Sequence, residues 1–88
     1  MLNGDLLTIN ERKNLDKLYT VWQNYKKIIN NLENEKFWLE YDECHYGYDI
    51  HKDQKKVIDK TLDLVEPAMR NAYYKYSDEW DRLDKKYS

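Results

Sequence analysis

The chain has 88 residues, a net charge of −2 and 36% charged side chains, which makes it a single domain with a limited core. Its one cysteine, Cys44, excludes an intrachain disulfide, and no apolar run approaches the roughly 20 residues of a membrane span. Two glycines and one proline are too few for a strand-and-turn fold, while nine Tyr and three Trp argue against disorder.

Met1 to Asn10 carry neither a basic segment nor a long apolar one, so no secretory signal is expected and the chain reads as cytoplasmic, with residues 1–7 as an N-terminal extension. A first helix is predicted over 8–41. Thr8-Ile9-Asn10-Glu11 fits a capping box, in which hydroxyl and carboxylate satisfy each other's backbone amides. Leu15, Leu18, Trp22, Tyr25, Ile29 and Leu32 then recur in steps of three and four on one face, Leu39 follows after Lys36, and Val21 and Ile28 widen the stripe. At 1.5 Å per residue such a helix is roughly 50 Å long.

Residues 42–52 read as an acidic, aromatic connector, with Gly47 as the natural left-handed turn. Asp49 or Asp53 is expected to cap the second helix, predicted over 53–87. Ile58, Leu62, Val65, Met69, Ala72, Tyr76 and Leu83 carry its stripe, and Tyr73 and Trp80 widen it. Pro67 cannot donate to the Asp63 carbonyl, so the helix is expected to be kinked or split there, with a second interruption conceivable at Ser77-Asp78-Glu79. The fold class is all-α: a long antiparallel helical hairpin. Stripes wider than a two-helix seam predict completion as a bundle by homo-oligomerisation, a dimer being the simplest form.

Charge is uneven along the chain. Residues 10–32 are net +3, residues 33–53 net −5 and residues 54–76 net +2. The acidic stretch also holds Phe37, Trp38, Tyr41, Tyr46 and Tyr48, and Trp38 lies off the apolar stripe. Aromatic anchors ringed by carboxylates suit a protein interface, in which Glu40, Asp42 and Glu43 would steer approach to a basic partner. The alternative is that these rings cap the end of the bundle and the acids keep it soluble.

Other chemistry is poorly supplied. Asp42, Gly47 and Asp53 fall on calcium-loop spacing, but Cys44 and Tyr46 stand where oxygen ligands are needed. Cys44, His45 and His51 lack the partners that complete a zinc shell. No phosphate-cradling glycine loop or nucleophile elbow occurs, and serines stand only at 77 and 88. No enzyme, metal or cofactor is expected. Lys13, Lys17, Lys26, Lys27, Arg70, Tyr73, Tyr74 and Lys75 interleave cations with rings, but with a negative net charge they read better as a solvated face than as a nucleic-acid surface.

Tyr74-x-x-x-Asp78 resembles the Tyr-x-x-x-Asp/Glu export signal of the WXG100 class of type VII secretion substrates, which are helical hairpins of similar length. That class has a Trp-x-Gly turn; here the turn reads His45-Tyr46-Gly47, so the tryptophan is missing. The resemblance implies export as a dimer or with a sister protein. A third expectation is a helical oligomer that sequesters a nucleotide-like ligand through Arg70 and Lys75 with tyrosine stacking. The first expectation is a non-enzymatic inhibitor or adaptor that occludes a site on a larger protein. Small, charged, aromatic-rich helical proteins of this kind are typical of phage and mobile-element antagonists of bacterial defence.

Overall fold

The computed structural model describes residues 4–87, so residues 1–3 of the expected extension, and Ser88, lie outside the described residues. A single 3₁₀ turn, Gly4–Leu6, leads into α1, Ile9–Tyr46, and α2 follows at Lys52–Tyr87. The two pack side by side as an antiparallel hairpin measuring 58 × 19 × 18 Å.

α1 starts where the capping chemistry requires. The Thr8 hydroxyl accepts from the Glu11 amide at 3.1 Å, and Glu11 Oε1 accepts from the Thr8 amide at 3.0 Å. The helix then continues five residues past the expected end at Tyr41, absorbing half of the expected connector. The apolar stripe ends at Leu39, but the seam does not. Its positions recur every seven residues through Leu15, Trp22, Ile29 and Lys36, and the next is Glu43, a carboxylate. The hydrophobic signal therefore stops before the helix does.

Gly47 ends α1 with φ 136° and ψ 143°, a conformation open to glycine, and its amide donates to the Glu43 carbonyl at 3.1 Å. Only Gly47 to His51 separate the helices. Among the described residues neither Asp49 nor Asp53 accepts a side-chain hydrogen bond from the amides of α2, so the expected cap is not made. Asp49 instead takes φ 65° within the turn, and its carbonyl accepts from the Lys52 amide. α2 runs unbroken through Pro67 and Ser77. The proline removes one backbone bond, but the in-phase stripe on both sides keeps the helix docked on α1.

The core is thin. Among the described residues Leu15, Ile29, Ile58, Ala72 and Leu83 form the buried apolar set, and of these Leu83 alone is fully enclosed. Leu7, Tyr76, Trp80 and Tyr87 pack around Leu15 and Leu83 at the open end. On one long face Tyr19, Trp22, Tyr73 and Tyr76 roof the seam as a ring cluster, with centroids 5.0–5.8 Å apart. On the other face the seam is flanked by Ala68, Ala72 and Thr61, which leaves it grooved.

Candidate functional site

The expected interface residues cluster at the turn end, and helical phase separates them. Lys36, Leu39 and Glu43 face α2; Phe37 and Trp38, one and two residues beyond Lys36, are rotated by about 100° and 200° from it. Phe37 is 59% exposed, Trp38 55% and Tyr41 48%. Their rings meet edge to face, Phe37 to Trp38 at 5.5 Å and Trp38 to Tyr41 at 5.7 Å between centroids. Tyr41 lies against His45 at 4.2 Å, and His45 Nδ1 lies 2.9 Å from the Tyr41 carbonyl. The result is an aromatic ridge along the outer side of α1, away from α2. Within the hairpin it lies along the side of α1 and not over the end of the seam. Tyr46 and Tyr48 stand exposed beyond it at the turn.

The acidic residues divide into two groups. Glu40 is exposed beside the ridge, as are Glu33 and Glu35 one to two turns earlier. Among the described residues no basic group lies within ion-pairing distance of Glu33 or Glu35. Asp42 is half exposed, with Oδ2 3.5 Å from His51 Nε2. Glu43 is different: it is 5% exposed and its carboxylate meets Lys55 Nζ at 2.5 Å. The His51 amide also donates to it at 3.4 Å. Lys55 holds the Glu43 carboxyl below the usual carboxylate range, and Glu43 raises Lys55 in turn. Sequence reasoning placed Glu43 among the steering residues; its contacts make it the brace that sets the turn, with its charge already compensated. The seven-residue step from Lys36 is the signal that could have shown this.

A second polar anchor was only half visible in the sequence. Glu11 closes the capping box and also accepts from Lys86 Nζ at 2.8 Å and from the Tyr87 hydroxyl. These donors, Lys86 first, together with the Thr8 amide bring its pKa from 4.5 to about 2. The start of α1 is thereby clasped to the end of α2. Toward the turn, Lys36 pairs with Asp59 at 2.7 Å.

The remaining candidates stay apart. Among the described residues no group of three metal-ligating side chains comes together, and Cys44 is exposed. Lys75 lines a groove beside Leu18 and Val21; Arg70, five residues away on the same helix, points about 140° from it. Tyr74 is exposed, one helical turn from Asp78. Among the described residues no helix is long and apolar enough to cross a membrane. Comparison with protein-family models, curated proteins and solved structures finds no match to this chain.

Proposed function

We propose that the protein is a non-enzymatic binding module, a small cytoplasmic inhibitor or adaptor whose aromatic ridge docks on a basic surface of a larger protein. The exposure of Trp38, held edge to face between Phe37 and Tyr41 on the side of α1 opposite α2, carries this reading. Large rings in water give up favourable burial unless a partner covers them, and Trp and Tyr dominate binding energies where one does. Neighbouring rings fix the Trp38 side chain before contact, which reduces the entropy lost on docking. Glu33, Glu35, Glu40 and Asp42 surround the ridge with negative charge, which accelerates approach to a cationic partner and disfavours an acidic one. Tyr46 and Tyr48 extend the contact toward the turn, while Glu43 supports the ridge from within.

The test is affinity capture from bacterial lysate with the wild type and with Trp38→Ala/Tyr41→Ala, read by mass spectrometry and followed by binding of the purified pair. One stoichiometric protein is expected with the wild type. Loss of the ridge should weaken it by ~2 kcal/mol or more, about 30-fold in Kd, with helix content unchanged. Equal binding by both proteins removes the ridge from the site.

A further inference from the structure

The hairpin's grooved face carries apolar surface that neither helix covers. Val21 and Ile28 on α1, and Val57 and Leu64 on α2, lie on it, and Leu64 is 78% exposed and Val57 64%. The positions repeat at seven-residue steps, so each pair follows its helix along the same stripe. Leu18 and Tyr25 line one groove with Ala68, and Leu32 lines the other with Val57. The ends of this strip have opposite signs. Lys17 and Lys75 flank the groove toward the open end, and Glu35 and Asp53 flank the groove toward the turn. Among the described residues none of the four has an ion-pair partner within the hairpin.

We infer that this face docks a second copy of the same chain, antiparallel, forming a four-helix bundle with Lys17 opposite the partner copy's Glu35 and Lys75 opposite the partner copy's Asp53. The charge pattern selects the occupant and its direction. A two-fold axis crossing the middle of the face lays α1 on α1 and α2 on α2, and carries each cationic end onto an acidic one. Stacking the copies with both turns at one end would set Glu35 and Asp53 of each beside the same acids of the other, which repel. The area is adequate: the face spans 58 by 19 Å, against the ~800 Å² per partner that stable complexes bury. On the opposite face Tyr19, Trp22, Tyr73 and Tyr76 pack on one another across the seam, and the more exposed of them, Tyr19 at 47% and Tyr73 at 40%, stay below Leu64 and Val57. The inference does not rest on the ridge being an interface. It leaves the ridge open on the outer side of α1, one copy near each end of the dimer.

Sedimentation equilibrium of the full chain tests occupancy, and spin labels on the native Cys44 test direction. The wild type is expected as a dimer, with a label separation of about 55 Å, because the two-fold axis falls midway between Lys17 and Glu35 and Cys44 lies about 27 Å along α1 from that point in each copy. Copies stacked with both turns together would bring the labels to about 20 Å, set by helix-packing distances. Leu64→Glu is expected to yield a monomer of unchanged helicity, since the side chain is mostly in water within one hairpin. Lys17→Glu/Lys75→Glu and Glu35→Lys/Asp53→Lys are each expected to raise the dimer Kd about tenfold or more, and mixing the two should restore association. A wild type that sediments as a monomer at 100-fold above a micromolar Kd overturns the proposal, as does a dimer with the short separation or one that Leu64→Glu leaves intact.

Discussion

At the open end of the hairpin Tyr76, Trp80 and Tyr87 lie half-buried against Leu15 and Leu83, and Glu11 ties the two helices through Lys86 and Tyr87. At the turn end Phe37, Trp38 and Tyr41 project from the outer side of α1, and the seam beneath them is braced by ions, Glu43 with Lys55 and Lys36 with Asp59. The same residue types thus serve as packing at one end and as surface at the other. Position relative to the seven-residue seam decides which. A ring on the seam, such as Trp22 or Tyr76, is half-buried against the other helix; a ring one or two residues off it, such as Phe37 or Trp38, has mostly solvent or a partner to meet.

The largest effect that should separate the two ends is Leu83→Ala. Leu83 is fully buried, and its truncation is expected to cost ~2–5 kcal/mol in chemical denaturation. Gly47→Ala should follow, at ~1–3 kcal/mol, because φ 136° is strained for any residue with a Cβ; the space around that carbon is ordinary, with Ile50 Cγ2 at 3.7 Å. A variant as stable as the wild type would mean that the turn has adopted another conformation.

The ionic braces sharpen the comparison through pH. The Glu11 carboxyl is held at about 2 in the folded chain, against 4.5 ordinarily, so the unfolded chain binds the proton more readily. Its contribution is present above about pH 4.5 and is lost as the pH falls toward 2. Glu43 and Glu79 are shifted in the same direction, by Lys55 and Arg82 respectively. Urea midpoints measured between pH 6 and 2 should fall for the wild type and fall less steeply for Glu11→Gln. Parallel curves would show that the clasp does not form in solution. Smallest of all should be Trp38→Ala, at about 1 kcal/mol or less, because the ring is 55% exposed and its ring partners, Phe37 and Tyr41, lie on the same helix. A loss comparable with that of Leu83→Ala would turn the ridge into core and remove the proposed site.

Much of this hairpin was legible in the residues alone. Apolar spacing gave both helices and the seam from Leu15 to Leu83, because burying an apolar stripe is what holds long helices together in water. The Thr8–Glu11 box gave the start of α1, a local motif complete within four residues. The few glycines gave the turn at Gly47, and the phase of Trp38 gave the ridge as a departure from the stripe. The tertiary structure decided what depended on distant partners. Glu43 belongs to the brace because Lys55 crosses from α2, and α1 runs to Tyr46 because that ion pair extends the seam beyond the last leucine. Glu11 reaches Lys86 and Tyr87 across the whole chain, a pairing that no local pattern encodes. Pro67 stays within one helix because its neighbours are held against α1. Local hydrogen bonding and hydrophobic period act within a few residues, so they are written in the sequence; the pairing of charges between helices is set only once the two helices have found their register.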